Sequence, residues 1–135
     1  MQFSGPLKQN YLFRRLYSRG RHRADSFLAM YCRRNGTQRN RVGITVSAKL
    51  GKAVRRNRVR RRLREIYRLN EERFRPGQDI VIVARSRAMQ ASYRQLEQSC
   101  LTLAEQLHLL RSADSVQTEA AGVPETGAAD AERGA

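Results

Sequence analysis

Arginine and lysine side chains are the groups in this chain whose type and spacing could do chemistry, and they are concentrated in residues 49–68. Their cationic heads form charge-assisted hydrogen bonds with phosphate and carboxylate oxygens. If the segment is helical, one side collects Asn57, Arg58, Arg61, Arg64 and Arg68. Glu65 is the one acidic residue in the segment, and like charges one turn apart repel by about 0.2–0.5 kcal/mol per pair. The sequence therefore predicts that an external polyanion compensates this surface.

The same segment is expected to be a folded helix whose first turn is unusually basic. Lysine or arginine stands at positions 49, 52, 55 and 56, near a terminus where a cation costs about 0.3–1 kcal/mol. Bound phosphate would reverse the sign of that interaction. An apolar stripe is expected to face the core, and it comprises Val59, Leu63, Ile66, Tyr67 and Phe74. The excess charge therefore belongs to a structured element.

Side chains suited to covalent catalysis are sparse. Seven acidic residues precede residue 112, and none belongs to a motif with metal-ligand spacing. His22 and His108 are isolated in sequence, and each is expected to be structural or to face phosphate. Cys32 and Cys100 lie in apolar patterns without a CxxC partner, which predicts buried free thiols. We therefore expect a nucleic-acid-binding protein with no catalytic residue and no metal site of its own.

The charge distribution favours the same class of partner. The 135 residues carry a formal charge of +15, although residues 112–135 hold five acidic residues and only one arginine. The preceding domain is thus more basic than the whole chain, as is typical of proteins that bind a polyanion. A membrane surface is the weaker alternative, because no apolar run is long enough to span a bilayer. The N-terminus lacks the apolar region of a secretory signal, so we expect a cytoplasmic protein with no membrane partner.

Six elements are predicted in the order α-β-β-α-β-α, with or without an additional short strand, which gives an α+β fold. They are a helix at 7–19, strands at 26–32, 41–47 and 79–84, the basic helix before the last strand, and a final helix from Ser92. Residues 33–40 contain Asn-Gly and are expected to form a loop between antiparallel strands. Ser92 and Gln95 have the spacing of a capping box.

The length of the chain predicts one domain with a single core. We divide it into a flexible N-terminus at 1–6, an RNA-binding α/β domain at 7–111, and an acidic Ala/Gly/Glu tail at 112–135. The tail contains no aromatic residue, so it cannot bury enough apolar surface to offset the entropy of ordering. It is therefore predicted to be disordered.

Three aromatic residues favour RNA over DNA as the polyanion. Phe13 and Tyr17 lie four residues apart on the first predicted helix, and Tyr31 lies on the following strand. Together they could line a groove where unpaired bases stack, at about 1–3 kcal/mol per base. An ordinary core position is an equally good interpretation of Phe13, whereas tyrosine hydroxyls favour a wet surface. The basic helix stands between two strands, so no helix-turn-helix is evident.

The sequence AVRRNRVRRRLR at residues 53–64 resembles the signature of the bacterial ribonuclease P protein subunit. Supporting similarity lies at residues 13–17 with Gly20, at 41–47, and at 79–85. The likeness spans about residues 7–110, which is nearly all of the predicted domain. It implies a small two-layer α/β sandwich with a left-handed βαβ crossover, against the usual right-handed rule.

The resemblance also implies that the protein assists a catalytic RNA in removing the 5′ leader of precursor tRNA. That RNA would supply the hydrolysis and would hold most of the Mg²⁺, and no protein partner would be required. The residues implied to contact the RNA subunit are Lys49, Lys52, Arg55, Arg56, Asn57, Arg58, Arg61, Arg64 and Arg68. Those implied to contact the single-stranded leader are Phe13, Tyr17, Tyr31 and Arg85.

Two other classes share the size and charge of this chain. A ribosomal or RNA-chaperone protein would show no dependence on leader length. A DNA-binding regulator would prefer a duplex site over single strands. The coexistence of the aromatic trio with the basic helix favours the ribonuclease P subunit over both.

Overall fold

The computed structural model describes residues 4–7 and 9–111, which form five strands and three helices. In chain order these are β1 (Ser4–Pro6), α1 (Asn10–Arg19), β2 (Arg21–Ala24), β3 (Leu28–Arg34), β4 (Asn40–Thr45), α2 (Ala53–Asn70), β5 (Gln78–Ala84) and α3 (Tyr93–Gln106). Short 3-10 turns lie before α2 (Ala48–Leu50), after α2 (Glu71–Arg73) and before α3 (Ser86–Gln90). The predicted α+β class is confirmed.

A single sheet joins the strands in the order β1-β4-β5-β3-β2. The middle strand, β5, is parallel to β4 and antiparallel to β3. Its residues Ile80, Val81 and Ile82 are fully buried, as a β-branched run covered on both faces predicts. Helix α2 connects the parallel neighbours β4 and β5, so the predicted crossover is present. Its left-handed sense stays a prediction.

Different helices cover the two faces of this sheet. Side chains alternate along each strand, so Val81 and Ile82 of β5 point to opposite faces. Ile82 belongs to the larger core, which also contains Met30 and, from α2, Leu63. Val81 belongs to a smaller core with Leu16 of α1. The basic helix and α1 are therefore held on opposite sides of one rigid sheet.

Two glycines let α1 lie close to the strands. A Cβ atom at Gly20 would lie 2.6 Å from the Leu16 carbonyl oxygen and 2.9 Å from that of Cys32, so glycine permits the tight passage from α1 into β2. A Cβ atom at Gly43 would lie 2.7 Å from the Phe13 ring. The bare backbone of β4 therefore provides the space in which that ring lies.

Two short strands were not placed by the sequence patterns. Ser4–Pro6 forms β1 and pairs in parallel with β4, so the prediction of a flexible segment at 1–6 is wrong for these residues. The first helix begins at Asn10 rather than at residue 7, because the Leu7 amide instead donates to the Val42 carbonyl oxygen. β2 is the additional short strand that the prediction allowed. Strands of three or four residues are too short to show a period of two.

The predicted apolar stripe of the basic helix is buried, and it continues beyond the end of the helix. Val54 is 73% exposed, because it lies in the first turn on the opposite side of α2 from Leu63. Phe74 is buried as predicted, but it follows the helix and a 3-10 turn. Val59, Leu63, Ile66 and Tyr67 form the observed buried stripe.

The loop after β3 joins strands that are not neighbours. β3 and β4 run antiparallel as predicted, yet β5 lies between them and pairs with both. Gly36 adopts a φ of 76° in this loop, a left-handed conformation that favours glycine. The loop therefore spans the width of an intervening strand, which explains why it is longer than a tight hairpin.

The cap predicted at the start of α3 is confirmed. The Ser92 hydroxyl accepts from the Gln95 amide at 3.1 Å, and the Gln95 side-chain oxygen accepts from the Ser92 amide at 2.9 Å. Each bond satisfies an amide that the helix leaves without an internal partner. Residues 112–135, where a disordered tail is predicted, lie outside the described residues.

Both cysteines are buried and free, as predicted. Burial raises the pKa of Cys100 to about 12, and the carboxylates of Glu97 and Asp25 add to the shift. The thiol is therefore protonated at neutral pH. Among the helices of the described residues, none combines the length and apolarity needed to cross a membrane.

Candidate nucleic-acid interface

Four arginines of α2 form the surface that we call the arginine face, namely Arg55, Arg58, Arg61 and Arg64. All four are exposed. They wind around the exposed surface of the helix by about 60° per step, while Val59, Leu63 and Ile66, which are at most 3% exposed, anchor the helix in the core. The helix can therefore neither roll nor bury its charges, and the arginine face is fixed toward solvent.

The guanidinium groups of the arginine face have no hydrogen bond or ion pair with any of residues 4–7 and 9–111. Successive members are three residues apart and therefore neighbours on the helix surface. No acidic residue stands in the first turn of α2. The repulsion among these charges is thus left for an external anion to relieve.

Three other residues predicted to contact RNA, Arg56, Asn57 and Arg68, have hydrogen-bond partners within the protein. Arg56 is half-buried, and its Nε donates to the Gly51 carbonyl oxygen at 3.0 Å. The Asn57 side-chain oxygen accepts from Arg60 at 2.6 Å. These bonds orient the side chains at the surface, and they leave other donor atoms available.

Arg68 differs most from its prediction, because it forms an ion pair with Glu65. The two N–H···O contacts measure 3.0 and 2.7 Å. The hydrogen bond from Arg68 lowers the pKa of the Glu65 carboxyl, so this carboxylate is charged at neutral pH. The positive charge of Arg68 is therefore offset, and Arg68 lies at the exposed margin of the arginine face.

Lys49 and Lys52 lie just before α2 and are exposed. Lys49 belongs to the 3-10 turn, where its amide donates to the Ser47 hydroxyl at 3.2 Å. Lys52 occupies the N-cap position, and its side chain caps no amide. The free amides of the first turn and both lysines thus add positive potential at this end of the helix.

The three predicted aromatic residues meet on the α1 side of the sheet, in what we call the aromatic cleft. The rings of Tyr17 and Tyr31 lie 5.0 Å apart in an edge-to-face arrangement. Tyr17 is 42% exposed, and its hydroxyl lies 3.4 Å from that of Thr45. Phe13 is half-buried over Gly43. The structure therefore brings the trio together along one side of α1.

The floor of the aromatic cleft consists of small strand residues that the sequence analysis did not single out. Ala29, Val83 and Thr45 are register partners across β3, β5 and β4, and each is only half-buried. They share a face with Tyr31, because residues two apart on a strand point the same way. The alternation of side chains along these strands is the sequence signal that could have identified the floor residues.

Arg85 is not joined to the aromatic trio. Its Nη1 donates to the Asp25 carbonyl oxygen at 2.7 Å, and its amide donates to the carbonyl oxygen of Phe27. No hydrogen bond or cation–π contact links it to Phe13, Tyr17 or Tyr31. Arg85 is therefore held at the β2–β3 turn, beyond the end of the cleft.

A groove of about 400 Å³ connects the cleft to the arginine face. It lies where β1 ends and leaves the edge of β4 open, and its walls include Phe13 and Arg64. A pocket of about 380 Å³ near Asn40 contains Glu71 and Glu72, whose negative charge does not suit phosphate. Within the part of the chain that the structure describes, no three His, Cys, Asp or Glu side chains are grouped to hold a metal ion.

Comparisons with known proteins identify what this arrangement is similar to. The family model for ribonuclease P matches residues 1–108. The ribonuclease P protein component of Alkaliphilus oremlandii is 44% identical, over 79% of this chain and 94% of the relative. That of Clostridioides difficile is 43% identical, over 72% and 86%.

Solved structures agree with the sequence relatives. The RNase P protein of Staphylococcus aureus superposes with a TM-score of 0.73 and 29% identity, covering 78% of this chain and 97% of that one. The RNase P protein from Thermotoga maritima gives a TM-score of 0.64 and 28% identity, covering 71% and 91%.

Proposed function

Because the chain belongs to the ribonuclease P protein family, whose model it matches over residues 1–108, we propose that the arginine face binds ribonuclease P RNA and that the aromatic cleft binds the leader of precursor tRNA. The chain is the protein subunit of an endoribonuclease that acts with an RNA subunit in 5′ maturation of tRNA. Hydrolysis is carried by that RNA. The protein side chains therefore act by binding and orienting, without taking part in bond cleavage.

The unpaired state of the arginine face is the observation that carries the assignment to the RNA subunit. Four guanidinium groups without a partner in the described residues stand on one helix anchored by its buried stripe. Each can contact a phosphate of a folded RNA and release the counterions condensed there. Lys49, Lys52, Arg56 and Asn57 extend the same surface toward the start of the helix.

The aromatic cleft suits single-stranded RNA because its rings are partly exposed and its floor consists of small side chains. A base can stack on Tyr17 or Tyr31, since every base presents a π-face. The groove between Phe13 and Arg64 supports a single continuous path from the leader to the RNA subunit. Arg85 lies beyond the cleft and is proposed to contact the leader backbone only outside the stacked nucleotides.

The remaining elements of the proposal concern the surroundings of the protein. We assign Mg²⁺ mainly to the RNA, because the described residues offer no grouped carboxylates, histidines or cysteines to hold it. We also propose that the complex works in the cytoplasm and needs no further protein partner. The test is leader cleavage by this protein and its ribonuclease P RNA alone at low magnesium.

Tyr17→Ala tests the cleft separately from the arginine face. The holoenzyme with this variant should lose affinity for precursor tRNA and keep its affinity for mature tRNA, because mature tRNA has no leader to stack. Arg34→Ala is the matched control, since Arg34 is exposed on β3 outside both surfaces. Equal losses for precursor and mature tRNA with Tyr17→Ala would refute the leader assignment.

A further inference from the structure

His22 lies directly opposite Tyr31 in the pairing of β2 with β3. Cross-strand partners project to the same face of a sheet, so the imidazole lies on the side of the aromatic cleft. The rings of His22 and Tyr31 are 5.2 Å apart and inclined by only 20°, which is a stacked arrangement. Tyr31 therefore has Tyr17 at its edge and His22 over its face.

These contacts extend the aromatic surface from β4 to the β2 edge of the sheet. Phe13 lies over β4, Tyr17 and Tyr31 meet over β3, and His22 stands on β2. β2 is the last strand of the sheet, and His22 is exposed. The row of rings thus begins beside the arginine face and ends at the opposite edge of the sheet with an accessible imidazole.

The strand that carries His22 is also strongly basic. Its neighbours Arg21 and Arg23 belong to a segment, residues 19–24, that contains no acidic residue. Arg23 Nη1 donates to the His22 carbonyl oxygen at 2.9 Å, which holds this guanidinium group beside the main chain of His22. Because side chains alternate along a strand, Arg21 and Arg23 project to the face of the sheet opposite the imidazole. They add positive potential at this edge of the sheet, and the imidazole alone offers the surface on which a base can stack.

We propose that His22 is a further stacking position for single-stranded RNA and binds a leader nucleotide farther from the cleavage site than those at Tyr17 and Tyr31. The inference rests on the proposed leader-binding role of the aromatic cleft. The imidazole is exposed on the edge strand and stacked with Tyr31, so it continues the surface on which bases can stack. The ligand is an unpaired nucleobase of any type, because stacking does not distinguish the edges of the bases.

The experiment measures affinity of the holoenzyme for precursor tRNAs whose leaders are lengthened one nucleotide at a time. Tyr31→Ala should weaken binding once the leader reaches the first stacking position. His22→Ala should have no effect at that length and should cost about five-fold once the leader is longer, at the lower end of base–aromatic stacking. His22→Phe should retain the affinity because it keeps a ring.

His108→Asn is the matched control, since His108 is the other exposed histidine and asparagine tolerates its left-handed φ of 59°. If His22→Ala weakens binding at the same leader length as Tyr31→Ala, His22 only positions Tyr31 and the proposal is overturned. If His22→Ala loses no affinity at any leader length while Tyr31→Ala still does, the His22 proposal is overturned and the proposed role of the cleft stands. If neither variant responds to leader length, the proposed role of the cleft fails as well.

Discussion

Replacing the whole arginine face with alanine should weaken RNA binding while stabilising the free protein. The variant carries four substitutions, Arg55→Ala, Arg58→Ala, Arg61→Ala and Arg64→Ala. These residues form three like-charged pairs spaced three apart, and each pair opposes the helix by about 0.2–0.5 kcal/mol. With no partner lost within the described residues, the free energy of unfolding should rise by about 1 kcal/mol.

The binding side of this prediction follows from counterion release. Each arginine that contacts a phosphate contributes about 0.7–0.9 to the slope of log affinity against log salt. The four substitutions together should therefore reduce the slope for ribonuclease P RNA by about three. Filter binding across a salt series measures the slope, and urea unfolding measures stability.

The salt slope and the stability together test the role assigned to the arginine face. If the four arginine side chains stabilised the fold through other contacts, the variant would have a lower free energy of unfolding than the parent protein. An unchanged salt slope would show that RNA binds elsewhere on the protein. Either result refutes the reasoning, and Arg34→Ala controls for the loss of charge outside the face.

Three further results are expected. Leu63→Ala should lower the free energy of unfolding by about 2–5 kcal/mol in urea, because Leu63 is fully buried between α2 and the sheet; a loss below 1 kcal/mol would contradict that packing. Glu65→Gln should release Arg68 for phosphate and raise the salt slope by up to about 0.7–0.9, whereas a fall in RNA affinity would mean that the ion pair orients the bound arginine. Cys100 should resist alkylation of the native protein at neutral pH and react only on unfolding, because its pKa is about 12; rapid labelling of the folded chain would contradict its burial.

Local patterns predicted the parts of the structure that depend on near neighbours in sequence. The cap at Ser92 depends on residues three apart, and the central strand depends on one β-branched run. The exposed arginines and the buried stripe of α2 followed from helical spacing. The bonds made by Arg56 and Arg85 were not predictable, because their carbonyl partners are set by turns in the folded backbone.

Long-range pairing was the part that sequence could not supply. Nothing in residues 4–6 distinguishes a strand from a terminus until β4 offers its free edge. The floor of the cleft likewise requires β5 to lie between β3 and β4, which brings Ala29 beside Val83. Such placement depends on contacts distant in sequence, and these carry no local periodicity.

The central position of β5 has a consequence during synthesis of the chain. This strand is the last to leave the ribosome, and until then the inner edges of β3 and β4 have no partner. Unpaired strand edges are sites of aggregation, and late closure of this kind slows folding. The nascent polypeptide should thus acquire its two proposed RNA-binding surfaces in one cooperative step, after Ala84 emerges, so that no partly folded subunit competes for RNA.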